Sequence, residues 1–441
     1  MALEPRTDLT PGADGHSLRK NVGYALVGNG ALNACRFLVI AILAKLTTPE
    51  IVGAFDFANS VLSAPIVLFF ALELRAAYVA DTRNQFTFGT YRALRNSGMS
   101  AATICLALGI FLRARTADDM TLVLLMAGVC GLRLILHWAE IYWGVFQRRE
   151  RLDRLARSNV MRGAALLGAF AVLVPAFAIA VRRGVLPPER LTTGPALAAL
   201  AGFAAWWSIG HFVDRRNALS GNGLDLSWNW PQVGRLAAQA FPLGLVVLII
   251  ALCDAIPRAM IAAQDAGAAK LGYFGALHVI TIIAGFLIIQ VGTAAGNRLA
   301  TYYRDDLRAF VRLALRMTGV AFVIGAAMVA ACLLFGEWFL RTLYNEDYAA
   351  HYPEFTILVY AQAIVLLAGV FGFVTTQMRQ FWIQVPTQLA VLACTVVAAA
   401  WLIPQDPIRG AALTALVRGI AQTVLYFACV LFGVRRRSAR R

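Results

Sequence analysis

Apolar residues run in blocks of about twenty along most of this chain, and short turns rich in Arg, Pro and Gly separate the blocks. A helix rising 1.5 Å per residue needs about 20 such residues to cross a bilayer. The pattern predicts twelve spans, at residues 21–46, 53–72, 97–112, 120–146, 160–181, 193–212, 233–260, 271–292, 318–334, 355–376, 381–403 and 410–433. The ten-residue alternation that marks a membrane β-barrel is absent. The expected fold class is an all-α polytopic membrane protein with twelve transmembrane helices in two pseudo-repeated six-helix lobes.

Polar stretches divide the chain. Residues 1–20, with Pro5, Pro11 and Gly12, read as a disordered cytoplasmic tail. Residues 21–212 form a first lobe, 213–232 a cytoplasmic linker with Trp228 and Trp230 as interfacial anchors, and 233–434 a second lobe. The basic tail 435–441 is expected to lie against anionic lipid headgroups. The first apolar span exceeds a signal-peptide core and lacks an A-x-A-like cleavage site, so it is expected to be retained. The two halves echo one another: Gly53-Ala-Phe55 aligns with Gly272-Tyr-Phe274, and Arg95-Asn-Ser-Gly98 with Arg316-Met-Thr-Gly319. Parallel repeats of this kind place a substrate path between lobes.

Composition agrees with the membrane reading. The chain is 59% hydrophobic and 15% charged, against about 25% charged for a soluble domain. A net charge of +16 would point to nucleic acid on a soluble protein. Here the Lys and Arg residues collect in alternate loops, which accounts for the excess and sets both termini in the cytoplasm. No nucleic-acid partner is expected. The seven cysteines fall inside apolar spans without a CxxC, so neither a disulfide framework nor a zinc site is indicated.

Catalytic signatures are missing. Lys20, Lys45 and Lys270 follow Arg or Ala, never Gly, so no phosphate-cradling P-loop is present, and no HExxH occurs. No cofactor, metal or catalytic residue is expected. What stands out instead is polarity inside the spans. Asn29, Asn33 and Arg36 share one helical face, as do Asp56, Asn59, Ser60 and Ser63. Arg133, His137 and Glu140 form a second stripe, Asp254 and Arg258 an i, i+4 pair expected near the outer interface, and Arg418 follows Thr414 at the same spacing. An Arg at membrane depth costs about 2.5–3.5 kcal/mol on insertion scales and faces protein or a water-filled cavity. Two readings apply to each stripe, a packing network or a transport path. The candidate substrate-binding set is Arg36, Asp56, Asn59, Asp254, Arg258 and His278. Arg133, His137, Glu140 and Arg418 are the candidate intramembrane charge network. Guanidinium in a cavity suits a phosphate-bearing anion, which it binds bidentately. In the outer stretch 337–354, Trp338, Tyr344, Tyr348 and Tyr352 either stack on sugar rings or form the interfacial aromatic belt.

Three stretches carry a family resemblance. Thr48-Pro-Glu-Ile-Val-Gly-Ala-Phe55 resembles the first hairpin of the polysaccharide-transport branch of the multidrug/oligosaccharidyl-lipid/polysaccharide exporter superfamily. Asp81-Thr-Arg-Asn-Gln-Phe-Thr-Phe-Gly-Thr-Tyr-Arg-Ala-Leu-Arg95 is similar to a loop of its lipopolysaccharide-biosynthesis members. Leu343-Tyr-Asn-Glu-Asp-Tyr348, with Trp401-Leu-Ile-Pro404 and Gly410-Ala-Ala412, resembles that family's later turns. The resemblance implies a V-shaped exporter-type fold working by alternating access, with a path lined by spans 1, 2, 7 and 8. By position, Arg36, Asp56, Asp254, Arg258 and His278 would lie on or near that path. It implies a polyprenyl-pyrophosphate-linked oligosaccharide as cargo for O-antigen, capsule or exopolysaccharide assembly in a bacterial inner membrane. Anionic lipids and other polysaccharide-assembly membrane proteins are the further partners. A multidrug or other secondary transporter of the same superfamily is the alternative, although cationic drugs call for more intramembrane carboxylate than this chain has. A membrane glycosyltransferase or polysaccharide polymerase needs a larger outer loop or an acidic metal motif.

Overall fold

A computed structural model describes residues 18–81, 84–115, 119–220, 224–378 and 381–438. Residues 1–17 of the expected cytoplasmic tail and 439–441 of the basic tail lie outside the described residues. Among the described residues every regular element is a helix. Among the described residues eleven helices are long and apolar enough to cross a membrane. We number the long helices in chain order: α1 Leu18–Leu46, α2 Pro49–Ala80, α3 Phe88–Ala114, α4 Met120–Arg148, α5 Leu152–Arg182, α6 Pro188–Leu219, α7 Trp230–Ala262, α8 Gly267–Asp305, α9 Leu307–Leu343, α10 Tyr352–Gln377, α11 Phe381–Leu402 and α12 Pro407–Ser438. Helix α8 is the twelfth; its leading part, Gly267–Ile283, is a shorter apolar segment. The twelve expected spans thus each fall on one helix.

Local chemistry explains where these helices begin and bend. The Thr87 and Asp119 side chains accept from the Thr90 and Thr121 amides at the starts of α3 and α4, and Asp306 accepts from the Arg308 and Ala309 amides at the start of α9. Such caps satisfy donors that the helix itself leaves open. Pro49 opens α2, where its missing N–H costs nothing. Helix α2 is interrupted twice. A π-helical stretch covers Phe57–Ser63, and Leu72 and Glu73 are both left-handed, with φ of 51° and 48°. Two adjacent non-glycine residues in that region carry a steric cost of about 1–2 kcal/mol each. Helix α6 holds a second π-helical stretch, Ile209–Arg215.

Packing divides the chain into two compact units. Unit 1 comprises Met1–Val39 and Ala58–Ala251; unit 2 comprises Ile40–Phe57 and Leu252–Arg441. In unit 1, α6 packs on α4 and α5, and α3 packs on α4. In unit 2, α10 packs on α8, α9 and α12, α11 packs on α12, and the opening of α2 packs on α8. That last contact is a meeting of two glycines. A Cβ at Gly53 would lie 1.8 Å from the Ala268 carbonyl oxygen, and one at Gly272 would lie 1.9 Å from that of Pro49. The two residues aligned by the internal repeat therefore form one close backbone crossing. Large side chains such as Ile104, Val172, Phe322, Leu334 and Val397 remain exposed on the helices. Apolar exposure on this scale is what lipid solvates and water does not.

Candidate functional site

Unit 2 gathers a polar cluster from four helices around Arg258 on α7. Its Nε donates to Asp56 Oδ2 on α2 at 3.0 Å, its Nη1 to the Asp254 backbone carbonyl at 2.8 Å, and its Nη2 meets His278 Nδ1 on α8 at 2.7 Å. The guanidinium lies over the Phe274 ring at 5.2 Å, and that ring stacks on His278. Asp254 in turn accepts from Arg418 on α12 at 2.5 Å. Gly275 makes room for this: a Cβ there would sit 2.8 Å from the Asp56 carboxyl carbon. Four of the six candidate substrate-binding residues, Asp56, Asp254, Arg258 and His278, are thus one cluster. Arg418 belongs with them, not with Arg133, His137 and Glu140. Arg258 is buried, whereas the Asp254 side chain is 41% exposed.

The other two candidates belong to unit 1. Arg36 on α1 lies 5.6 Å from the Trp206 ring centre. Asn59, in the first π-helical stretch, accepts from Arg133 at 2.9 Å. In the α4 stripe, His137 pairs with Glu140 at 2.9 Å. The expected stripe therefore divides, because Arg133 reaches across to α2 while His137 and Glu140 bond along α4. Arg36, Arg75 and Arg95 all lie within electrostatic range of Glu140, and Glu73 stands among Arg75, Arg95 and Glu140. Arg95 is 0% exposed, and none of its guanidinium nitrogens has a hydrogen-bond partner among the described residues.

Sequence reading missed Arg75 and Arg95, because both stood beyond an apolar block and counted as loop charges. It also missed the Arg162–Asp214 pair of unit 1, 2.7 Å apart with both side chains buried. Asp214 accepts further from Ser158 and from Trp143 Nε1. A signal was present: Arg162 lies inside a span, and a buried guanidinium requires an acceptor. The outer aromatic stretch is corrected as well. Tyr344 and Tyr348 are 1% exposed. Tyr344 donates to the Ala276 carbonyl at 2.9 Å, and Tyr348 packs edge-on against Tyr273. They are wedges in unit 2, closed to a sugar ring, and burial pushes both phenols up from their ordinary pKa. Trp338 alone of the four is exposed.

No family model matches the chain. Solved structures do. The lipid II flippase MurJ in an inward closed conformation superposes with a TM-score of 0.70 at 9% identity, covering 93% of this chain and 87% of that one. A multidrug resistance MATE transporter in an inward-facing conformation gives 0.66 at 12% identity over 97% of each chain. A MOP superfamily transporter from Pyrococcus furiosus gives 0.65 at 16% identity over 98% and 97%. The chain has the fold that these three structures share. Among characterised sequences, the "Capsular polysaccharide biosynthesis protein CapF" of Staphylococcus aureus is 23% identical over 412 residues, 92% of this chain and 98% of the relative. The motif resemblance to the polysaccharide-transport branch agrees with that relative. The shared fold, built on apolar helices, makes this a multi-pass membrane protein, and its structural neighbours are transporters and flippases, not enzymes.

Proposed function

We propose that this protein is a flippase that moves a polyprenyl-pyrophosphate-linked oligosaccharide across the bacterial cytoplasmic membrane for surface polysaccharide assembly. It works by alternating access of the two six-helix lobes, 21–212 and 233–434, with both termini in the cytoplasm. The observation that carries this reading is the cationic surplus in unit 1. Arg36, Arg75 and Arg95 lie within electrostatic range of Glu140, Arg75 and Arg95 also of Glu73, and the Arg95 guanidinium is wholly buried without a hydrogen-bond partner among the described residues. A buried guanidinium that has carboxylates nearby but no hydrogen bond is costly until an acceptor reaches it. A diphosphate supplies that acceptor and fits guanidinium bidentately. The capsule-biosynthesis relative and the lipid II flippase neighbour support a lipid-linked cargo. The same surplus argues against cationic drugs as cargo, despite the fold shared with a multidrug transporter.

The test is removal of the gene, followed by profiling of lipid-linked sugars on each face of the membrane. A complete repeat unit accumulating on the inner face is expected. An incomplete unit, or a complete unit already on the outer face, would overturn the reading.

A further inference from the structure

Unit 1 holds a cavity of about 360 Å³ apart from its arginine cluster, within the range of about 300–1,000 Å³ of small-molecule sites. It lies where α2 ends and α3 begins, against the first turns of α7. Ala77, Ala80 and Asp81 on one wall stand at i, i+3, i+4, and Leu236, Gln239, Ala240 and Leu243 face them at i, i+3, i+4, i+7. The alanines leave the space open. Gln85, Phe86 and Tyr91 complete the lining. This is the end of the unit that we assign to the cytoplasm.

The walls are held in place by hydrogen bonds. Asp81 accepts from the Gln85 and Phe86 amides at 3.0 and 3.3 Å and from the Tyr91 hydroxyl at 3.2 Å. Arg148 donates to the Asp81 carbonyl at 3.1 Å and to Asn84 at 2.6 Å. The segment leading into α7 is tied to the start of α3. The Gly89 amide donates to the Asp225 carbonyl at 2.9 Å, and Thr90 donates to Gln232 at 3.3 Å. A side chain at position 89 would break that tie, since its Cβ would lie 2.2 Å from the Leu226 carbonyl oxygen. Preorganised polar groups of this kind give orientation at little entropic cost on binding.

The lining chemistry selects among ligands. Among the described lining residues Asp81 is the charged one, and its carboxylate offers acceptors where a phosphate needs donors. Among the described residues three of a carboxylate's roughly four acceptor positions are used, which leaves one for an incoming hydroxyl. The buried Tyr91 gives its hydroxyl proton to Asp81, so its oxygen is left as an acceptor. The exposed carboxamides of Gln85 and Gln239 both donate and accept. Leu236 and Leu243 supply an apolar surface. Paired donors and acceptors beside apolar carbon match a neutral pyranose ring, in which every hydroxyl is both.

We infer that this cavity is a glycan-reading subsite, which takes a neutral hexose or N-acetylhexosamine ring of the lipid-linked cargo before translocation and sets cargo specificity. The inference rests on the flippase reading, and it assigns sugar recognition to residues apart from the arginines that meet the diphosphate.

The test uses the full-length protein in nanodiscs and three probes: undecaprenyl diphosphate alone, and the same carrier bearing glucose or N-acetylglucosamine. Dissociation constants are measured for the wild type, for Gln239→Ala at an exposed position, and for Ala77→Leu, which fills the cavity. All three proteins are first checked for equal melting temperature. The wild type is expected to bind one glycosylated carrier about five- to tenfold more tightly than the bare one, the worth of about one well-placed hydrogen bond. Either variant is expected to bring that ratio close to one. If the wild type binds the bare and both glycosylated carriers equally, the subsite is overturned while the flippase reading stands. A preference that survives in a folded variant overturns the placement. Failure of the wild type to bind any carrier overturns the flippase reading itself.

Discussion

Replacing Asp214 by Asn should destabilise unit 1 severely while changing almost no volume. Asp214 Oδ2 receives Arg162 Nη1 at 2.7 Å, Ser158 Oγ at 3.0 Å and Trp143 Nε1 at 3.1 Å, and the Arg162 and Asp214 side chains are 0% and 1% exposed. Arg162 also bonds Ser158 and lies 5.1 Å from the Trp143 ring centre, so its position is fixed from several sides. It cannot follow the lost charge out to solvent. A hydrogen bond to a charged group contributes about 1.5–3 kcal/mol, and stranding one member of a buried pair costs about 3–5 kcal/mol in all. At about 2–4 °C per kcal/mol for a unit of this size, the melting temperature should fall by roughly 6–20 °C. The double variant Arg162→Met/Asp214→Asn removes both charges and should recover at least half of the loss. The coupling would then be at least about 1.5 kcal/mol, within the range measured for residues in contact. Melting in a mild detergent, followed by the monodisperse fraction, supplies all four corners of the cycle. Additive costs of the two single changes, or an Asp214→Asn protein that melts with the wild type, would refute the argument.

Arg36→Ala should abolish most transport while the protein still inserts, and Arg36→Lys should restore only part, because an ammonium cannot form the bidentate fork; full activity in Arg36→Ala returns the residue to a packing role over Trp206. Gly53→Leu and Gly272→Leu should each lower the amount of folded protein in membranes, since either side chain drives α2 and α8 apart at a carbonyl less than 2 Å from the new Cβ; normal yields would contradict the close crossing. Tyr348→Phe should be neutral or stabilising, because its buried hydroxyl has no hydrogen-bond partner among the described residues; a melting temperature lower by several degrees would show a missed bond. In sealed vesicles, outward movement of the lipid-linked sugar should increase with an inside-negative potential, by up to about 2.3 kcal/mol per net charge per 100 mV; a rate indifferent to potential rules out electrophoretic coupling.

The length of the apolar blocks located the long helices, eleven of which are long and apolar enough to cross a membrane among the described residues, because that length is set by bilayer thickness and needs no tertiary knowledge. The stripe rule also found Asp254 with Arg258, since i and i+4 positions share a face whatever surrounds them. Its reach ended where partners come from distant helices. Nothing in the sequence pairs Arg258 with Asp56, or Arg418 with Asp254, until α2, α7, α8 and α12 are assembled. Arg75 and Arg95 were hidden for another reason. Hydropathy ends a span at the first charges, whereas α2 turns at Leu72 and Glu73 and continues to Ala80. Tyr344 and Tyr348 show the converse, aromatic residues that read as an exposed belt by composition and are buried by the fold.

Charge balance separates the two clusters chemically. Around Arg258, two carboxylates meet two guanidiniums, and His278 accepts what remains. That arrangement is satisfied without a ligand, so it can hold α2, α7, α8 and α12 in register whether or not cargo is present. Around Glu140 the sum is different: Arg36, Arg75 and Arg95 exceed the available carboxylates, and Arg95 has no hydrogen bond among the described residues. The buried Arg95 guanidinium therefore carries a cost that an anionic acceptor would relieve. A ligand can shift a conformational equilibrium only by its differential affinity for the states. If the cargo is the lipid diphosphate proposed above, its charge supplies such a difference at the arginines, and a neutral sugar supplies none there. Recognition of the glycan must then come from groups without net positive charge, as at Asp81, Gln85 and Gln239. On this argument the diphosphate drives the cycle and the sugar selects the cargo, so variants at the arginines should slow transport of every carrier, while variants at the cavity should change which carrier is preferred.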